Sequence, residues 1–169
     1  VLEYPLAPQF RLAEITGAIA KAVRKIAETT TGPLRLFGHS AGGHLVTRMT
    51  NRGVLSWPVT ERIERVVAIS GVFDLRPLLE TQMNETLRIS VDEARSESPV
   101  LAELSTLPIT FWVGANERPE FLRQTRLAAE TYEGKGLAAN AVYHPGRNHF
   151  SVLLDLAEKD GLLLQEILR

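Results

Sequence analysis

The sequence predicts an α/β fold built on a mostly parallel sheet with helices on both faces. Segments of strand and helix character alternate along the chain. The strand candidates are continuous apolar runs rather than alternating ones, the pattern of strands buried on both faces. Ser40, Asp74, Glu117 and His149 each fall just after a predicted strand, so they can meet beyond the C-terminal ends of the strands, where such sheets place their reactive groups.

The elements follow in order. Val1-Leu2-Glu3-Tyr4 reads as the end of a strand, stopped by Pro5 and Pro8. From Phe10 to Thr29, Ile15, Ile19, Ala22, Val23 and Ile26 recur at helical spacing and predict an amphipathic helix, which Gly32-Pro33 closes. Leu34-Arg35-Leu36-Phe37 is a short strand, followed by a helix over Ala41 to Asn51. Val66 to Ser70 is a buried strand. Arg76 to Asn84 and Val91 to Glu97 form short helices in a cap-like excursion. Ile109 to Val113 is another buried strand, closed by Gly114. Glu120 to Glu133 is helical until Gly134 and Gly136 break it. Asn140 to Tyr143 is the last strand, and Ser151 to Ala157 and Gly161 to Leu168 are helical.

The chain has 169 residues, 44% of them hydrophobic and 23% charged, enough for one domain over 1–169 with a real core. A net charge of -1 gives no footprint for nucleic acid or an anionic membrane surface. No apolar run reaches the length of about 18 residues that a membrane-spanning helix needs. With no Cys there are no disulfides, no thiolate chemistry and no Cys-based zinc site, which is compatible with the cytoplasm. The expected partner is a small molecule, with no cofactor or metal.

Gly38-His39-Ser40-Ala41-Gly42 matches G-x-S-x-G, the nucleophile elbow of α/β-hydrolases. By chance the motif arises in a chain of this length at about one in twenty, so its setting matters. Here a strand precedes it and a helix follows, which lifts the Ser40 hydroxyl above the sheet. Both motif glycines are expected because a side chain there would collide with the turn, and Gly43 lets strand and helix pack closely. A phosphate-gripping P-loop is the other reading of a glycine-rich turn, but no Lys follows in the required place.

A serine hydroxyl is a weak nucleophile at neutral pH and needs a base, itself oriented by a third group. His149, in the polar loop after the last strand, is the best base, and the order Ser, acid, His is that of α/β-hydrolases. His144 is held in reserve. His39 and His44 flank the serine and read as packing or structural residues. Two carboxylates compete for the acid position. Glu117 follows the Ile109–Val113 strand and is preferred. Asp74 follows the strand before it and can instead cap the next turn. Asp155 is expected in solvent. For the oxyanion, Ala41 supplies one backbone N–H. The second donor usually comes from an earlier H-G-G loop, and no such segment occurs here. The chain is therefore expected to be the C-terminal two-thirds of its fold, with an unpaired edge on the Ser40 strand or on the strand ending at Tyr4.

Further segments carry a more specific resemblance. Gly38 to Leu45, Tyr4-Pro5-Leu6-Ala7-Pro8, Ile69-Ser70-Gly71-Val72-Phe73-Asp74-Leu75-Arg76-Pro77-Leu78, Asn84, Ser98-Pro99, Val113-Gly114, the run from Glu117 through Glu120-Phe121 to Gln124, and Asn148-His149-Phe150 agree in order with one branch of the α/β-hydrolases. The chain resembles the kynurenine formamidases and carboxylesterases. The resemblance implies Ser40 as nucleophile and His149 as base. It puts Glu117 where many relatives carry Asp, a longer side chain that still allows the role. It implies hydrolysis of small esters or aryl formamides, N-formylkynurenine being the specific case. A non-catalytic binding protein on the same fold is the reading from another class.

Overall fold

Ile15, Ile19 and Val23 face the core from helix α1 (Leu12–Thr29), whereas Ile26 in its last turn stays partly in solvent. This is the amphipathic stripe expected of a helix laid against a sheet. The computed structural model describes all residues 1–169. Strand β1 (Leu34–His39) runs through a tight turn into α2 (Ala41–Arg48). A one-turn helix not anticipated from the sequence, α3 (Trp57–Thr60), precedes β2 (Ile63–Ile69); Pro58 sits in its first turn, where no intrahelical N–H is needed.

The excursion between β2 and the next strand contains a 3-10 turn (Arg76–Glu80), α4 (Met83–Leu87), α5 (Val91–Ser96) and a second 3-10 turn (Pro99–Leu101). Strand β3 (Ile109–Gly114), α6 (Pro119–Glu133) and β4 (Ala139–His144) follow. A 3-10 segment (Ser151–Ala157) and α7 (Leu162–Leu168) end the chain.

The sheet has four strands, all parallel, in the order β1-β2-β3-β4. The register pairs His39 with Ile69, Ile69 with Trp112, and Gly114 with His144. The strands thus end nearly level, and the loops that follow them share one edge. The two-residue period of a strand sends Val66, Ala68, Ile109 and Phe111 to one face, where α1, α2 and α6 cover them. Val67, Ile69 and Trp112 go to the other, against Val152, Leu163 and Ile167. No helix is long and apolar enough to cross a membrane.

Two expectations change. Only β2 and β3 are buried on both faces. In β1, Arg35 and Phe37 are exposed, and in β4 Asn140, Ala141 and Tyr143 are, because each of these outer strands has a neighbour on one side only. Val1 to Tyr4 is irregular and forms no strand. It lies against an apolar groove beside β1, lined also by Leu36 and Val46. Pro5 and Pro8 remove two of the N–H groups that a ladder there would use.

The excursion is tied to the rest by a buried ion pair. Glu97 accepts from Arg48 at 3.1 and 3.2 Å and from the Thr16 hydroxyl at 2.7 Å. Arg48 spends another donor on Asn51. Burying these charges is tolerable because each is paired and further hydrogen-bonded.

Candidate active site

The turn between β1 and α2 forces Ser40 to φ 56° and ψ -116°, a conformation that an L-residue adopts only under constraint. The constraint is visible on both sides. The Ser40 N–H donates to the Ile69 carbonyl at 2.8 Å. A Cβ on Gly38 would lie 2.3 Å from the Gly42 carbonyl oxygen, and one on Gly43 would lie 2.7 Å from the Ile69 oxygen. A Cβ on Gly42 would meet nothing within 4 Å. The sequence reading gave both motif glycines a steric role; the structure gives it to Gly38 and Gly43. At Gly42 it is the backbone, not the missing side chain, that Gly38 must avoid.

His149 brings its Nε2 to 3.2 Å from the Ser40 hydroxyl oxygen. On its far side, Nδ1–H points to Glu117 Oε2 at 2.8 Å. The other carboxylate oxygen, Oε1, accepts from the Gly114 N–H at 2.9 Å and from the Ser70 hydroxyl at 2.5 Å. The Glu117 side chain has no exposed surface, while the His149 ring keeps 21% of its own. Gly114 permits this closeness: a Cβ there would lie 2.4 Å from the Arg147 carbonyl oxygen. The Asn116 N–H donates to that same carbonyl at 2.9 Å, which joins the loop after β3 to the loop after β4. Asn148 shapes the second loop by accepting from the Phe150 and Ser151 N–H groups.

Three aromatic rings surround His149. Phe121 lies 4.5 Å away, His39 4.7 Å and Phe150 5.4 Å between ring centroids. The His39 Nε2–H donates to the His149 backbone carbonyl at 2.7 Å, so His39 packs on the ring and holds the loop that carries it. Burial pushes His39 below the ordinary histidine value, which favours the neutral ring. As the first residue of α2, Ala41 has an N–H without an intrahelical acceptor; the first bond of the helix runs from His44 N–H to the Ser40 carbonyl.

The remaining candidates lie elsewhere. The Asp74 carboxylate accepts from the Arg76 side chain at 2.9 and 2.8 Å and from its N–H at 3.1 Å, and so caps the turn it precedes. The guanidinium holds it below the usual carboxylate range. His144 is buried against Trp112. Asp155, expected in solvent, is 3% exposed, because its carboxylate caps the start of α7 by accepting from the Leu163 N–H at 2.6 Å. No group of three or more His, Asp or Glu side chains is arranged to hold a metal ion. The sequence reading missed the Ser70 contact. Its one available signal was position: Ser70 follows β2 as Ser40 follows β1.

No family model matches the chain. It is 28% identical over 174 residues to the kynurenine formamidase of Danio rerio and 29% identical over 177 residues to that of Salmo salar. Each match covers 98% of this chain but 59% and 60% of the relative, so the chain spans about three-fifths of their length. A solved structure from Silicibacter sp. TM1040, provisionally assigned as a thioesterase, superposes with a TM-score of 0.92 at 42% identity, over 99% of this chain and 62% of that one. A Pyrobaculum calidifontis esterase superposes with a TM-score of 0.75 at 19% identity, over 97% of this chain and 62% of its own, a likeness of fold alone. The chain has the α/β-hydrolase fold and is arylformamidase- and esterase-like.

Two predictions follow from the elbow and the helix behind it. Gly38→Ala should destabilise the protein by at least about 1–3 kcal/mol, since backbone must move. Gly42→Ala should stay within about 1 kcal/mol of the parent; urea unfolding of both variants checks this. His44, buried, donates from Nδ1 to the Val72 carbonyl at 2.9 Å. Burial lowers it from 6.5 to about 4, with nearby Arg48 adding to the effect and the Val72 bond and Glu97 opposing it. Between these values the unfolded chain holds a proton that the folded one refuses. Stability should therefore fall as pH drops through 6.5 and level off near 4, by about 1.4 kcal/mol per pH unit. Unfolding at pH 7 and pH 5 of the parent and His44→Asn should show a steeper loss in the parent, because His39, also lowered by burial, titrates in both.

Proposed function

We propose that the protein is a serine hydrolase acting on small carboxylic esters or aryl formamides. The observation that carries this reading is the continuous line of contacts from Ser40 through His149 to Glu117, at 3.2 and 2.8 Å, at the level edge of a parallel sheet. In this reading Ser40 Oγ attacks the substrate carbonyl carbon while His149 Nε2 takes its proton. Glu117 fixes the tautomer of the ring and stabilises the imidazolium. The Ala41 N–H donates to the oxyanion. Collapse of the tetrahedral adduct expels the alcohol or arylamine, which leaves with the proton from His149. Water then attacks the acyl-enzyme with His149 as base, releasing the acid and restoring Ser40. With a formamide the acyl group is formyl and the acid is formate.

The names of the relatives favour particular substrates. The two fish proteins are kynurenine formamidases, which supports a formamide and N-formylkynurenine in particular. The Silicibacter protein's assignment supports a thioester, cleaved by the same steps. Comparing kcat/KM for p-nitrophenyl acetate, an aryl formamide and an acyl thioester ranks these. The second oxyanion donor is proposed to come from outside the 169 residues. The unpaired side of β1 and the apolar groove of about 590 Å3 beside it support this, since both suit further strands of the same sheet.

Ser40→Ala should lower p-nitrophenyl acetate turnover at least about a thousandfold. Glu117→Gln should lower kcat by up to about 10⁴ with the fold intact, whereas Asp74→Asn should affect mainly stability. A fluorophosphonate should label Ser40 rapidly; lack of labelling in a folded protein would favour the binding-protein reading. Residues 1–169 expressed alone should turn over the ester at least about a hundredfold more slowly than a longer form that supplies the second donor. Equal rates would mean that the oxyanion hole is complete within the chain.

A further inference from the structure

Ser70 has no part in the chemistry just described, yet it is fully buried and its hydroxyl lies 2.5 Å from Glu117 Oε1. Its backbone is unusual. Ser40, Ser70 and Arg88 are the non-glycine residues with positive φ, and Ser70 stands at 50°. Arg88 is an exposed residue ending α4, a common place for this conformation. Ser70, in contrast, lies in the packed interior between β2 and the loop after it. A glycine would adopt the conformation without strain, so the side chain is the feature that sets this residue apart.

That side chain meets the carboxylate on the side away from His149. Oε2 faces the imidazole, while Oε1 takes the Ser70 hydroxyl and the Gly114 N–H. No surface of the Glu117 side chain is open to solvent, so in the intact site its Oε1 is held by protein donors rather than by bulk water. Glutamate also has one more rotatable bond than aspartate, and an acid of this length needs a further anchor to hold one rotamer. The preceding residue, Ile69, accepts the Ser40 N–H, and the Ser70 N–H donates to the Trp112 carbonyl at 2.7 Å. Consecutive residues at the end of β2 therefore hold the backbone of Ser40 and the carboxylate of Glu117.

We propose that Ser70 is a positioning residue, whose hydroxyl orients the Glu117 carboxylate toward His149. This rests on the serine-hydrolase reading above. The discriminating variant is Ser70→Gly, which removes the hydroxyl and relieves the backbone at the same time. In the whole protein, kcat for p-nitrophenyl acetate should fall about ten- to a hundredfold, with KM changed less than about twofold and only a modest loss of thermal stability, because relief of the Ser70 backbone offsets part of the lost bond and the Gly114 N–H and His149 still donate to Glu117. A purely structural serine would show the opposite, a loss of stability with kcat kept.

The second measurement is a cycle with Glu117→Ala, reading the rate of fluorophosphonate reaction at Ser40. Ser70→Gly should slow the parent but add almost nothing once the carboxylate is gone. An equal penalty in both backgrounds, or an unchanged kcat, overturns the proposal. So does loss of the fold in both Ser70→Gly and Ser70→Ala, because the hydroxyl would then serve folding. Turnover that survives Ser40→Ala would instead sink the hydrolase reading itself, and the two failures are thereby told apart.

Discussion

A carboxylate without exposed surface must have its oxygens satisfied from within the protein, because burying an unpaired charge costs several kcal/mol or more. Glu117 meets this requirement with three donors from three parts of the fold. Gly114 ends β3, Ser70 follows β2, and His149 stands in the loop after β4. Satisfying one buried group thus sets three segments relative to one another. Ser40 joins them through its N–H to Ile69, the last residue of β2. The level ends of the parallel strands bring these segments within reach, and the buried acid fixes their separation.

Helix α6 supports the arrangement from the side. Phe121, in its first turn, lies against the His149 ring. Gln124, fully buried one turn later, accepts from the Phe73 and Asp74 N–H groups and donates to the Asp74 carbonyl. The same helix therefore braces the imidazole and the loop that leaves Ser70. One ring contact and one amide side chain hold in place what a flexible loop would leave loose.

Much of this was legible in the sequence because the relevant signals are short-range. The runs Val66 to Ile69 and Ile109 to Val113 read as strands buried on both faces, and they are. The spacing of Ile15, Ile19 and Val23 located α1 to within two residues. G-x-S-x-G marked the elbow, since the motif encodes a backbone path. The misses depend on long-range geometry. Nothing local distinguishes a Ser70 that reaches a carboxylate 47 positions later from one that merely ends a strand. Asp155 reads as a surface charge until α7 folds back over it. The exposed faces of β1 and β4 reflect their place at the edges of the sheet, and strand order is not written in either strand.

The excursion over residues 76–101 contributes no hydrogen bond or ring contact to Ser40, His149 or Glu117. It is fastened instead to helices α1 and α2: Glu97 pairs with Arg48, Glu93 accepts from the Leu12 N–H and the Arg11 side chain, and the Arg88 carbonyl accepts from Arg11. The line of contacts from Ser40 to Glu117 and the excursion are thus separable pieces of one chain. A change in the length or character of the excursion that keeps these fastenings would leave the geometry of Ser40, His149 and Glu117 as it is.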